Sequence, residues 1–387
     1  MSASAGERPV RADALGVLRW MEQRQFRGVD PFDALSSPLA APLRPLRWPA
    51  VAWVQIHRRL PLDLRPLIGV RPHTNPKALS LTVQGLLDLG APEDPALRTR
   101  AEDLVRRLVD LADPGGGWGY PFPWANRHFR AAAGMPSSVV TAFVGHALLD
   151  ARQAGVAPES VDESVLAGAG FLATHLGRVP CGDGFLFSYT PADSRGVHNA
   201  SLLAASFLAR AGRLEGADPD WTAAARAAAV ATRDAQRPDG SWPYGTSRRD
   251  DFVDSFHTGY VLEALRRLDQ LGVLDSSDAV DAGLAYWRAT FLTGSGVAHR
   301  PGVPHPVDLH AVAQAILTCL QFEDRWPGGP DTASELAAWA VEHARGPDGA
   351  FDYLWRPGRS NKVRYLRWVQ AWMFRALSAL AGRLNAG

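Results

Sequence analysis

Two kinds of segment alternate along most of this chain. Lys77–Leu89, Val139–Ala151, His198–Ala211, Phe256–Leu268, Asp308–Phe322 and Tyr365–Leu380 are apolar on nearly all sides. Between them, Pro95–Ala112, Asp162–Leu176, Asp220–Gln236, Asp278–Phe291 and Thr332–Arg345 carry one apolar stripe at helical spacing, as in Leu104, Leu108 and Leu111. A helix that is apolar all round is buried, whereas a helix with one apolar stripe faces water. The apolar segments recur every 50–65 residues or so, about the length of a helical hairpin with a long loop. Six buried helices alternating with about six amphipathic ones predict two concentric rings. The expected fold is therefore all-α, an (α/α)6 toroid made of a double ring of helical hairpins; an open superhelix is the competing shape. The one candidate strand is Gly184–Tyr189.

The N-terminal third breaks this pattern. Residues 1–12 read as a tail, and Asp13 as the N-cap of a helix running to Gln25. Residues 26–49 and Leu60–Pro76 are Pro-rich and irregular, with a helix over Ala50–Arg59 between them. The expected organisation is an N-terminal tail with wrapping helices over 1–72 and a toroid domain over 73–387.

With 46% hydrophobic residues in 387, the chain can build a large core. Its net charge of +1 gives no global field for nucleic acid. Charge is uneven, however. No acid follows Asp352, while Lys362, Arg364, Arg367 and further arginines do. Asp113–Asp150 is free of internal acids but holds Arg127, His128 and Arg130, and from Arg44 to Lys77 the sole acid is Asp63. These excesses suit an anionic small molecule or glycan; solvated surface arginine is the plainer reading. Cys181 and Cys319 have no metal spacing and suggest no disulfide framework. No run approaches the roughly 20 apolar residues of a membrane span, and the N-terminus lacks a signal-peptide core. A soluble cytoplasmic protein is expected. Membrane-surface attachment through the basic N-terminal third has no further support in the sequence.

The turn Gln236–Trp242, QRPDGSW, is the best copy of a repeated unit; weaker copies stand at Gly116–Trp118, Gly182–Phe185 and Asp348–Phe351. Gln236, Gly240 and Trp242 fit a Q-x3-G-x-W signature, and by it the chain resembles the terpenoid-cyclase/protein prenyltransferase superfamily. That resemblance implies a structural aromatic clamping an outer helix to an inner one. The superfamily's catalytic signatures are missing. Asp250, Asp251 and Asp254 do not make its Asp-x-Asp-Asp acid. Asp254-Ser255-Phe256 lacks the cysteine of the prenyltransferase zinc set, although His310 falls where that set's histidine would. The segments VDPFDALSSPL, WGYPFPWANRHF, FSYTPADSRGVHNASLL and HPVDLHAVAQAIL resemble a bacterial family encoded beside polysaccharide-biosynthesis enzymes. This second resemblance implies a cell-surface glycan role without an assigned reaction.

In an α/α toroid the inner helices run parallel, so the loops before them converge on one mouth, where helix N-termini favour anions. Basic and polar residues expected there to bind substrate are Arg127, Arg195, His198, Asn199, Lys362, Arg364 and Arg367. Aromatic ones are Trp118, Tyr189, Tyr244 and Tyr353. Sugar rings stack on aromatics, and arginine pairs with carboxylate or phosphate. The best catalytic pairs are Asp254 with His257 and Asp308 with His310, each a histidine base beside an orienting carboxylate. Tyr260 is a candidate second acid. Each aspartate could equally be a plain N-cap, and each histidine could merely bond a neighbouring loop.

The expected function is a carbohydrate-active enzyme of cell-surface or secondary-metabolite glycan biosynthesis. It would act on a uronate- or phosphate-bearing sugar, lipid-linked in one version, by epimerase, lyase or hydrolase chemistry. A hydrolase would need two carboxylates, such as Asp254 with Asp308 or Asp251. The alternatives are a terpene-cyclase or prenyl-transfer enzyme with a non-standard acid motif, and a non-catalytic glycan- or partner-binding toroid. No cofactor is expected; a divalent metal shared by His198, His257 and His310 is the variant reading.

Overall fold

The computed structural model describes residues 7–126, 130–293 and 296–386. Thirteen α-helices lie among the described residues. They are α1 Glu7–Glu22, α2 Arg47–Arg59, α3 Pro76–Asp88, α4 Pro95–Asp110, α5 Ser138–Gln153, α6 Val161–His175 and α7 His198–Ala211. Then follow α8 Asp220–Arg233, α9 Ser255–Gln270, α10 Ser277–Phe291, α11 Leu309–Gln321, α12 Gly329–Ala344 and α13 Ala371–Ala386. The chain divides into two compact units. The first takes Met1–Leu108, Tyr120–Met135 and His305–Gly387; the second takes Val109–Gly119 and Pro136–Pro304.

Within the second unit α5, α7 and α9 lie side by side, and α6, α8 and α10 pack on their outer sides. The chemistry follows the position. Every residue of α7 except Arg210 is buried, whereas α8 buries Trp221 and a stripe of Ala224, Ala225, Ala228, Ala229 and Ala231. Within the first unit α13 packs between α3 and α11, α12 packs on α11, and α1 runs along α13. The side chains of Asn75, Ser137, Asp254 and Asp308 cap α3, α5, α9 and α11, each accepting a backbone N–H of the first turn.

The N-terminus departs from its expected form. Residues 7–12 are helical, and residues 1–6 lie outside the described residues. Ala14, Val17, Leu18 and Met21 form the buried stripe of α1. Asp13 caps nothing: it lies within α1 and pairs with Arg345 Nη1 at 2.5 Å. Trp20 Nε1 donates to Asp348 at 3.1 Å. So α1 serves as the outer helix of α13.

In its best copy the repeated turn ties one outer helix to the next outer one. Gln236 Nε2 donates to the carbonyls of Gly240 (3.0 Å) and Ala279 (2.8 Å). Trp242 Nε1 donates to the Thr232 carbonyl at 2.9 Å, and its ring covers Gly283, where an added Cβ would come within 2.3 Å. Residues 232–242 thus fasten the end of α8 to α10, while Trp242 also lines a recess with Thr258 and Val261 of the inner helix α9. Trp118 repeats the contact over Gly168 of α6, and Gly349 backs onto Gly16 of α1. Gly240 has φ 88°, and a Cβ there would stand 2.5 Å from the Ala282 carbonyl oxygen. Gly240→Ala should therefore lower stability by about 1–3 kcal/mol through strain and overpacking, read as a fall in the urea midpoint.

Three further features frame the sites. Arg178–Cys181 and Gly184–Phe187 form an antiparallel hairpin, Arg178 opposite Phe187, where a strand was expected. Helix α2 packs into a small core with Leu35, Ala40 and Ala125. One π-helical turn, Leu366–Gln370, precedes α13, and Gln370 bridges the backbone N–H and carbonyl of Phe351 at 2.8 Å each. π turns of this kind are frequent at functional sites.

Candidate functional site

In the second unit the start of α9 builds an aspartate–histidine pair. Asp254 has extended backbone at the N-cap, and its Oδ1 accepts the His257 N–H at 3.0 Å. Its Oδ2 stands 2.7 Å from His257 Nδ1. Three-residue spacing on a first helical turn is what lets one carboxylate serve both contacts. Burial raises the Asp254 carboxyl, but the charge and hydrogen bonds of His257 outweigh it and hold the group below the usual aspartate value. An ionised Asp254 fixes the proton on Nδ1 and leaves Nε2 as the acceptor. The His257 side chain keeps 24% exposure against 2% for Asp254, so the ring can meet a solute. Tyr244 lies against the ring at 4.7 Å between centroids, itself stacked on Phe252 at 4.8 Å. Asn199, Tyr244, Asp254, His257 and Thr258 line a small recess of about 10 Å³, room for one water. Tyr260 lies edge-on to His257 at 6.2 Å and is buried.

Other expected binders in this unit have structural positions. Trp118 is fully buried under the α6 contact described above. Tyr189 is buried and its carbonyl accepts from the Ser138 N–H and hydroxyl. Arg195 pairs with Asp193 at 3.3 Å and Asp250 at 3.1 Å. His198 turns toward α8, with Nδ1 3.1 Å from Thr232 Oγ1. Polar or charged groups such as Arg195 and His198 beside the start of a buried helix must be paired.

His198 has a consequence for stability. Burial lowers its pKa from 6.5 to about 4. The folded state holds it neutral while the unfolded chain protonates below 6.5, so its stabilisation is complete above that value and is lost as pH falls toward 4. The loss should reach roughly 3 kcal/mol, and urea titrations across this window should show a shallower pH slope for His198→Gln.

In the first unit the expected pair Asp308–His310 is built differently. Asp308 Oδ1 accepts the His310 backbone N–H at 3.0 Å, and its two oxygens take Trp368 Nε1 at 3.1 and 3.2 Å. The His310 ring meets Trp368 edge-on at 4.6 Å and stacks on Trp372 at 4.7 Å. Arg367 forms a buried two-point contact with Asp30 at 2.5 and 2.8 Å and lies 4.9 Å from the Tyr120 ring centre. Burial, with Arg367 nearby, pulls the Lys77 ammonium well below the usual lysine range. Tyr353 is buried and accepts from Arg58 Nε at 3.2 Å. Arg364 pairs with Asp352 and with Asp348. Lys362 is exposed and, with Arg24, Arg27, Arg71 and Arg364, lines a groove of about 1620 Å³ whose one acid is Asp63. Arg127 lies outside the described residues.

The expected arginine clamp is thus largely neutralised within the fold: Arg195, Arg364 and Arg367 already hold carboxylates. Asp30, Trp368 and Trp372 went unread as site residues. The four-residue spacing of the two tryptophans on an apolar helix was the available signal; Asp30 had none. Among the described residues no three His, Cys, Asp or Glu side chains gather as a metal set, and no helix is long and apolar enough to cross a membrane. Both cysteines are free thiols.

No protein-family model matches the sequence, and no curated protein does. Solved structures do. Cellobiose 2-epimerase from Bacillus thermoamylovorans is similar with a TM-score of 0.60 at 10% identity, over 82% of this chain and 90% of that one. A D-mannose isomerase gives 0.57 at 12%, over 80% and 87%. A family 76 α-mannanase of Bacteroides thetaiotaomicron gives 0.56 at 14%, over 80% and 87%. At such identities the likeness concerns the fold, and with the alternation of buried and half-buried helices it makes this chain an (α/α)6 toroid.

Proposed function

We propose that the protein is a carbohydrate-active enzyme that moves a proton at a sugar carbon next to a carbonyl or carboxylate, as an epimerase, isomerase or lyase does. The observation that carries this is the Asp254–His257 pair, with its 2.7 Å contact and a partly exposed ring. In the proposed step, His257 Nε2 accepts the carbon-bound proton and Asp254 stabilises the imidazolium that results. A second acid that donates a proton to the opposite face gives an epimer, proton return to the neighbouring carbon gives an isomer, and loss of a leaving group as its protonated alcohol gives an unsaturated product. Tyr260 is the nearby acid of this scheme. Asp308 and His310 are the acid–base candidates of the first unit and belong in the same mutational test.

A hydrolase reading is less well supported around this pair. It asks for two available carboxylates, but Asp254 is committed to His257, Asp250 to Arg195 and Asp251 to Arg237. The same engagements give less support to the three aspartates as a terpene-cyclase acid. The similar solved structures named above include an epimerase and an isomerase of sugars, in keeping with proton transfer. An anionic sugar, lipid-linked or free, as a ligand of the first unit is favoured by Arg24, Arg27, Arg71 and Lys362, which line its groove with Asp63 as the one lining acid; Arg364 there already holds two aspartates. The test is incubation of the protein with neutral sugars and with uronates in deuterium oxide. Deuterium appearing at the carbon beside the carbonyl or carboxylate supports the proposal; hydrolysis without carbon exchange overturns it.

A further inference from the structure

Leu39, Leu46, Trp48, Ile56, Leu62 and Leu67 are each more than half exposed. Among the described residues, Leu111 and Val303 are the other large hydrophobic residues left exposed. Six of these eight therefore fall within one stretch of the first unit, residues 39–67. Helix α2 shows how they are presented. It buries Ala50, Val51, Val54 and His57 against its small core, as any amphipathic helix would. Yet its opposite face, at a four-residue step, shows Trp48, Ala52 and Ile56 to solvent, where polar residues belong.

The exposed charge along this stretch is mostly positive. Arg44, Arg47, Arg59 and Arg71 are exposed, and the sole acid from Arg44 to Lys77 is Asp63, which accepts from Arg65. Leu62 and Asp63 also belong to the groove that Arg24, Arg27 and Lys362 line, so the positive surface continues past the apolar one. Aliphatic side chains and a tryptophan interleaved with arginines suit the boundary between headgroups and acyl chains. The excess of arginine suits anionic headgroups. At 13 residues α2 falls short of the roughly 20 that span a bilayer, so contact would be peripheral. We propose that residues 39–67 dock the protein on the surface of an anionic lipid bilayer.

The test is co-sedimentation of the full chain with vesicles of phosphatidylcholine alone and with roughly a third phosphatidylglycerol added. The expected result is binding to the anionic vesicles that weakens with added salt. The pair Arg47→Gln and Arg59→Gln should lose roughly tenfold or more in partitioning, since each basic residue near such a surface contributes about fivefold. Trp48→Ser with Ile56→Ser should lose a comparable factor. All four positions are exposed, and unchanged melting of the variants checks that they fold. No vesicle binding by the unaltered protein overturns the proposal. So does self-association in sedimentation velocity that Trp48→Ser with Ile56→Ser abolishes, because the face then covers a second copy of the chain.

Discussion

Replacing His257 with glutamine should lower carbon–deuterium exchange into the sugar by about 10²–10⁴-fold, the usual contribution of a positioned general base. Folding should be preserved, because the Asp254 cap contacts the residue-257 backbone N–H, which glutamine keeps. Asp254→Asn is the sharper experiment. Asparagine remains a good N-cap, so α9 should hold. Its carbonyl oxygen takes the backbone N–H, which turns the amide NH2 toward Nδ1. The imidazole must then carry its proton on Nε2, the atom proposed to accept from substrate. Exchange should fall by a similar factor while the melting temperature stays close to that of the unaltered protein. An Asp254→Asn protein that exchanges at the original rate would show the carboxylate to be a cap and nothing more. Asp254→Ala would not discriminate, since it also removes the cap, at a cost of about 1 kcal/mol.

The fold was legible because it is written in periodicity. The unbroken apolar character of His198–Ala211 marks α7, and the aspartate before α9 announces the cap that orients His257. What could not be read was the fate of each charge. Arg195 and Arg367 look alike in sequence as cations at inner-helix starts. Their partners Asp250 and Asp30 lie 55 and 337 residues away and are brought in by tertiary packing, although Arg195 also has Asp193 two residues off. His198 and His257 occupy comparable first-turn positions, yet one faces the outer helix α8 and the other the α9 cap. Which way a first-turn side chain points depends on helix rotation by a fraction of a turn, and composition does not record that. The tail was misplaced for a related reason: the stripe of α1 lacks sequence neighbours to pair with, since its partner α13 ends the chain.

The Asp30–Arg367 contact should be one of the large electrostatic liabilities of the first unit. Both groups are nearly inaccessible, with 1% and 4% exposure, and two arginine nitrogens reach the one carboxylate. Asp30 also accepts the Phe32 N–H at 3.1 Å, so the same carboxylate fixes the turn that leads into residues 33–36. Arg367 lies against the faces of Tyr120 and Trp368, which shield it from solvent. Removing one member leaves a charge in a low-dielectric setting, which costs about 3–5 kcal/mol. Arg367→Met and Asp30→Asn should each lower the unfolding free energy by that amount in urea titrations. The two together should cost less than their sum, by about 1–3 kcal/mol, because the double variant buries no lone charge. Strict additivity would mean that the pair is solvated, and that the arginine is free for an anionic substrate after all. A coupled result places Arg367 in the framework that holds Trp368 over Asp308 and His310. The expected anion binders are then narrowed to cations outside such pairs, Lys362 first among them.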